Sequence, residues 1–127
     1  MASTLRVLLI DDEPLVLEMF EDMLLSHGFE VVVASTAREA LTQLDRGHYD
    51  VMVCDVMLED FDGFDLLQIA KKKIPRLTTV LMTGSPNGKD SSKAIELGAS
   101  YLTKPISFPE LLIQMSTPSR RASRMHS

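Results

Sequence analysis

Short unbroken apolar runs alternate along the chain with longer stretches in which apolar residues recur every three or four positions. RVLLI (6–10) reads as a buried strand. EPLVLEMFEDMLLSHG comes next, with Leu15, Met19 and Met23 four apart and Val16, Phe20 and Leu24 one step on, which predicts a wide apolar helical stripe. Pro14 suits the first turn of that helix and Gly28 its C-terminal cap. EVVVA (30–34) is a second strand. Thr36 and Glu39 then make a capping-box pattern that opens a helix with Ala37, Ala40, Leu41 and Leu44 inward. DVMVCD (50–55) is a third strand, and a helix with Phe64, Leu67 and Ala70 on one face follows Gly63. TTVLMT (78–83) is a fourth strand, KDSSKAIELG (89–98) a short helix closed by Gly98, and SYLT (100–103) a fifth strand. Ser107 and Glu110 repeat the capping-box pattern before a last short helix over ELLIQM. Pro118 ends it, and Ser116 and Thr117 already weaken it.

Five strands alternating with five helices predict an α/β fold, a doubly wound parallel sheet with helices on both faces. The strands are continuously apolar, as expected where both faces are covered. A chain of 127 residues fits one domain. The expected division is a folded domain over 1–115 and a flexible Ser/Arg-rich tail over 116–127. Composition is ordinary for a soluble globular protein, and no apolar run approaches a membrane span. The N-terminus lacks the pattern of a secretory signal, and the single Cys54 has no partner within the chain, so the cytoplasm is the expected location. The eight Met read as core filler.

Charge changes this picture only at its extremes. Residues 1–115 hold 18 acidic and 10 basic residues, while the last twelve hold three Arg and no acid. An acidic body argues against direct nucleic-acid binding, and three tail arginines make no basic stripe.

The chemistry gathers where the strands end. In a parallel sheet of this kind the ligand crevice lies outside the C-terminal strand ends. Asp11, Asp12 and Glu13 follow the first strand, Asp55 ends the third, Thr83 ends the fourth, and Lys104–Pro105 follow the fifth. Carboxylates about 4 Å apart repel by about 4 kcal/mol per pair at an effective dielectric near 20. A divalent cation offsets that repulsion, and oxygen-only ligands with room for water suit Mg²⁺. A carboxylate can attack phosphorus to give an aspartyl phosphate. An ammonium and a hydroxyl can then bind the remaining phosphoryl oxygens.

With LLIDDE, VMVCDVMLEDFDGFDLL, VLMTGS and GASYLTKPI in this order, the chain resembles the receiver domain of two-component response regulators over about residues 5–115. The resemblance implies the flavodoxin-like strand order 2-1-3-4-5. It implies Asp55 as phosphoacceptor, Asp12 as a direct metal ligand, Asp11 as a ligand through water, and Met57 as a backbone-carbonyl ligand. Thr83 corresponds to the switch hydroxyl, Lys104 to its ion-pair partner and Tyr101 to the aromatic that turns inward with it. The bond before Pro105 is expected to be cis. Met57 and Ser85 stand at the two positions that tune phosphoryl lifetime, and neither is a good water-orienting group for that work, so slow dephosphorylation is expected. Glu13 reads as a first-turn acid favoured by the helix dipole, and His27, His48 and His126 as uninvolved in phosphate relay.

Three departures from the family pattern stand out. Glu59, followed by Asp60, replaces the common proline four residues after the phosphoacceptor, adding negative charge beside the site. GASYL is one residue shorter than the usual spacing into the fifth strand. Pro109 stands where the winged-helix transcription-factor subgroup has Arg, so that subgroup's dimer is not expected.

The expected function is a phosphoacceptor module with Mg²⁺ as cofactor, Mn²⁺ being able to substitute. A histidine kinase or histidine phosphotransfer protein would supply phosphate, and a downstream protein target or a fused output domain would receive the signal. A free-standing protein is the expected form. Neither nucleic acid nor membrane is an expected direct partner. No enzyme activity is expected beyond self-phosphorylation and self-dephosphorylation. Two alternatives stay open. One is a receiver-like scaffold that does not turn over phosphate. The other is a Mg²⁺-dependent aspartyl-phosphate phosphatase, against which Met57 stands where that class needs a second Asp.

Overall fold

The computed structural model describes residues 4–116. The element order is β1 (Arg6–Ile10), α1 (Pro14–Ser26), β2 (Glu30–Ala34), α2 (Ala37–Arg46), β3 (Val51–Asp55), α3 (Gly63–Lys73), β4 (Thr78–Thr83), α4 (Gly88–Glu96), β5 (Ser100–Thr103) and α5 (Phe108–Ser116). The five strands form one parallel sheet in the order β2-β1-β3-β4-β5. The fold is therefore the flavodoxin-like doubly wound sheet. The tail expected over 116–127 lies, beyond Ser116, outside the described residues, and Ser116 itself is the last residue of α5.

The continuous apolar strands feed two cores, because alternate residues point to opposite faces. Leu8, Ile10, Met52, Cys54 and Leu81 pack under α2, α3 and α4 with Ala40, Leu44, Phe64, Leu67 and Ala94. Val7, Leu9, Val53, Val80 and Met82 pack under α1 and α5 with Leu17, Phe20, Leu24, Leu111 and Met115. Each such Leu, Val or Phe contributes about 1.5–3 kcal/mol of burial. That burial holds the strands rigidly enough to fix the side chains at their C-terminal ends.

Local signals agree with the ends of the elements. Thr36 Oγ1 accepts from Glu39 N–H at 3.1 Å, and the Glu39 carboxylate reaches back to Ser35 N–H at 2.7 Å. Gly28 (φ 88°) and Gly98 (φ 73°) close α1 and α4 in left-handed conformations that favour glycine. Asp62 caps α3 and Asn87 caps α4.

Several boundaries and faces differ from expectation. Asp50 is not in β3; its carboxylate instead accepts from Arg6 N–H at 2.9 Å. The last helix begins at Phe108, ahead of ELLIQM, because Pro109 is tolerated in a first turn where its missing N–H has no helical partner. The face of α1 that meets the sheet runs through Leu17, Phe20 and Leu24, flanked by Val16 and Met23. Leu15 is 80% and Met19 49% exposed. The wide stripe left its centre ambiguous, and the position of the sheet settles it. Met52, Met82 and Met115 fill the core, but Met57 is 73% exposed beside the third strand's end. Among the described residues no helix is long and apolar enough to cross a membrane.

Candidate functional site

The parallel register aligns the ends of four adjacent strands, β1, β3, β4 and β5. Ile10 pairs with Cys54, Asp55 with Met82 and Thr83 with Thr103, so the residues after β1, β3 and β5 converge on one edge. Lys104 is tied there by its N–H to the Thr83 carbonyl at 2.7 Å, and the Lys104–Pro105 bond is cis.

The Lys104 ammonium stands among three carboxylates. It donates to Asp55 Oδ2 at 2.5 Å, to Asp11 Oδ2 at 3.0 Å and to Glu13 Oε1 at 3.3 Å. The other Asp55 oxygen, Oδ1, accepts from Met57 N–H at 2.9 Å, and Asp11 Oδ1 accepts from Glu13 N–H at 2.9 Å. Both carboxylates are thus held in one orientation by backbone and side chain together. Asp11 is fully buried and Asp55 is 8% exposed.

Asp11, Asp12, Glu13 and Asp55 each bring a carboxylate oxygen within 4.8 Å of the others. Four acids, three of them sharing one ammonium, leave a local charge excess. Burial pushes the Asp11 carboxyl above its ordinary value and the Asp55 charge adds to the rise, while the Glu13 N–H and Lys104 pull against it. Burial works against the charge on Lys104, but its hydrogen bonds with Asp55 and Asp11 outweigh this and hold it above the usual lysine range. The donor set is oxygen only, crowded and anionic, which fits a hard divalent cation such as Mg²⁺.

Of the residues named from sequence, Asp11, Asp12, Asp55 and Lys104 come together. Thr83 lies buried at the end of β4 with its Oγ1 accepting from Ser85 N–H at 3.0 Å. That bond makes it a turn cap as well as a neighbour of the site. Tyr101, on β5, pairs with Leu81 of β4, and its hydroxyl is buried without a hydrogen-bond partner. Met57 turns its side chain outward. Cys54, next to Asp55, is a fully buried thiol pushed far up by burial and then by the Asp55 charge, which leaves it unreactive.

Three residues play parts that pattern reading did not assign. Glu13 reaches across to Lys104 instead of acting only on the helix dipole. Gly63 supports Asp55: a Cβ there would stand 2.3 Å from the Asp55 carbonyl oxygen and 2.8 Å from Val56 Cα. The only sequence signal for this was a glycine at a helix start, where many residues are tolerated. Asp60 bonds to the Ala37 and Arg38 N–H groups at 3.0 and 3.2 Å, so its charge serves the start of α2.

The response regulator receiver domain family matches residues 7–116 of this chain. The chain belongs to that family. The transcriptional regulatory proteins TrcR of Mycobacterium tuberculosis and PcoR of Escherichia coli are 34% and 30% identical to it. Those alignments cover 97% and 92% of this receiver, but only 48% and 52% of the two regulators. The chain therefore spans about half the length of these relatives. A CheY-like receiver domain protein from Methanospirillum hungatei superposes with a TM-score of 0.83 at 30% identity, covering 89% of this chain and 91% of that one.

Proposed function

We propose that this receiver domain accepts a phosphoryl group from a phosphohistidine onto Asp55 and passes the change to a partner or output domain. The observation that carries the reading is the Asp55–Lys104–Asp11 arrangement: a strand-mounted carboxylate, fixed on both oxygens, beside a shared ammonium and an excess of acid. An Asp55 oxygen attacks phosphorus as the bond to the donor imidazole nitrogen breaks. The rigid third strand holds that oxygen in place beforehand, which lowers the entropic part of the barrier. Lys104 moves its hydrogen bond from the carboxylate to a phosphoryl oxygen, and Thr83 turns its hydroxyl toward another. Asp12, Asp55 and the Met57 carbonyl would hold Mg²⁺ directly, with Asp11 acting through water. Bound there, the ion supplies charge neutralisation for the phosphoryl oxygens.

When Thr83 leaves the Ser85 N–H, the α4 side of the site loosens, and Tyr101 gains reason to follow. Phosphorylation then biases the far face by local electrostatics and packing. The exposed thioether of Met57 and the hydroxyl of Ser85 orient an attacking water poorly, which supports a long-lived phosphoryl group. A lifetime of seconds in Mg²⁺ would overturn that part. The cytoplasm is the location this chemistry requires, since its donors are there. The similar transcriptional regulators support a role in two-component control of an output.

The test is intact mass after incubation with Mg²⁺ and acetyl phosphate or phosphoramidate. One added phosphoryl group is expected for the wild type, and none for Asp55→Ala or without Mg²⁺. A folded wild type that gains no mass, even with a phosphorylated histidine donor, would leave a scaffold instead.

A further inference from the structure

Glu13 is the N-cap residue of α1, yet its side chain makes no capping hydrogen bond to the helix. It turns instead to Lys104, with Oε1 3.3 Å from Nζ. Its backbone N–H donates to Asp11 Oδ1 at 2.9 Å. A carboxylate at a helix start is ordinarily favoured there by the free N–H groups and the dipole. Here the ammonium has outcompeted them.

Exposure ranks the three carboxylates that share this ammonium. The Asp11 side chain is 0% exposed, that of Asp55 11% and that of Glu13 61%. Glu13 therefore stands on the solvent side of the site, at its mouth. Charge there is not neutralised, because Asp11, Asp12, Glu13 and Asp55 set four carboxylates against Lys104. One divalent cation in the cluster would cancel two of the three surplus negative charges and leave one. Without the charge of Glu13 the loaded site would be neutral.

We propose that Glu13 selects among phosphoryl donors. Its charge holds back dianionic O-phosphoryl donors such as acyl phosphates, and favours N-phosphoryl donors whose protonated nitrogen offsets one phosphoryl charge. The inference rests on the phosphoacceptor reading of Asp55. With either donor an Asp55 oxygen forms the new bond to phosphorus. From acetyl phosphate the P–O bond breaks and acetate leaves with the electron pair. From phosphoramidate the P–N bond breaks and ammonia leaves, its proton already in place. Asp55 does the same chemistry in both, so the difference that Glu13 reads is donor charge. At neutral pH acetyl phosphate is a dianion and phosphoramidate a monoanion. The dianion feels the extra carboxylate twice as strongly, and salt screens both. Glu13→Gln keeps an oxygen acceptor for Lys104 and removes only the charge.

The test follows phosphorylation of the full chain by intact mass, with Mg²⁺ saturating for each variant, little added salt and limiting donor. Glu13→Gln should raise the second-order rate about fivefold with acetyl phosphate and about twofold with phosphoramidate. At about 1 M salt both gains should shrink toward unity. Glu13→Ala, which also removes the acceptor, should show the same ranking of donors. A readout apart from the reaction is Mg²⁺ affinity, taken from amide shifts of the isotope-labelled protein at low salt. Glu13→Gln should weaken it about fivefold. Equal gains with the two donors would overturn the proposal, as would gains that survive high salt, a slower Glu13→Gln or an unchanged Mg²⁺ affinity. Slowing by Glu13→Ala alone, with Glu13→Gln like the wild type, would make Glu13 an anchor for Lys104 instead. If neither the wild type nor Glu13→Gln gained mass from either donor, the phosphoacceptor reading would fall, and this inference with it.

Discussion

At the N-terminal edge of the sheet, several polar groups each find a partner. The Asp50 carboxylate takes the Arg6 N–H, the Arg6 guanidinium lies 4.8 Å over the Tyr49 ring and donates to the His48 carbonyl, and Lys73 pairs with Asp45. At the C-terminal edge, four carboxylates gather and three of them share one ammonium. The surplus of acid at the C-terminal edge stores repulsion that a cation can relieve. The contrast sets the acidic edge apart from the opposite one.

The largest test of this contrast removes the support under Asp55. Gly63→Ala forces a methyl group into the Asp55 carbonyl, and should cost about 3 kcal/mol in urea unfolding. An unchanged midpoint would mean that the start of α3 can shift and that Gly63 does not position the strand end. Next is the pair of lysines. Lys104→Met strips the ammonium from a buried carboxylate, and should cost about 2 kcal/mol in metal-free buffer. Lys73→Met at the matched edge should change stability by no more than about 0.5 kcal/mol, because that pair is largely exposed. Equal effects of the two substitutions would erase the distinction between the edges.

Removing an acid from the surplus should act in the opposite direction. Asp12→Asn is expected to raise metal-free stability by about 1 kcal/mol through reduced repulsion. The same variant should lose the Mg²⁺-dependent rise in Tm that the wild type shows. A wild-type Tm indifferent to Mg²⁺ would count against the cation site.

The smallest effect concerns Asp60, whose carboxyl is held below its ordinary range chiefly by the Ala37 N–H, with the Arg38 N–H also contributing. Its folded value is lower than its unfolded one. The stability it contributes is therefore complete above about pH 4, and is lost as pH falls through the folded value. Asp60→Asn should flatten that part of the acid limb of a stability–pH curve. It should leave Mg²⁺-dependent phosphorylation unchanged, because this acid faces α2. A slowed or quickened phosphorylation would return Asp60 to the neighbourhood of the site.

The alternation of apolar runs with helical stripes, read alone, determined the number and order of elements, and hence a parallel sheet, because burial on both faces leaves an unbroken apolar strand. It also determined that Asp11, Asp12, Asp55, Thr83 and Lys104 lie at strand ends, and so share an edge. These features are local, and the period of the backbone makes them legible. Tertiary structure decided what depends on a neighbour distant in sequence. It chose Leu17 over Leu15 and Met19 for the inner face of α1, since a broad stripe can be turned by a residue without changing its pattern. It turned Asp60 toward α2 and Glu13 toward Lys104, because a carboxylate goes to whichever donor the folded chain brings near. It made Gly63 indispensable, because only the close return of α3 to the end of β3 leaves no space for a side chain there.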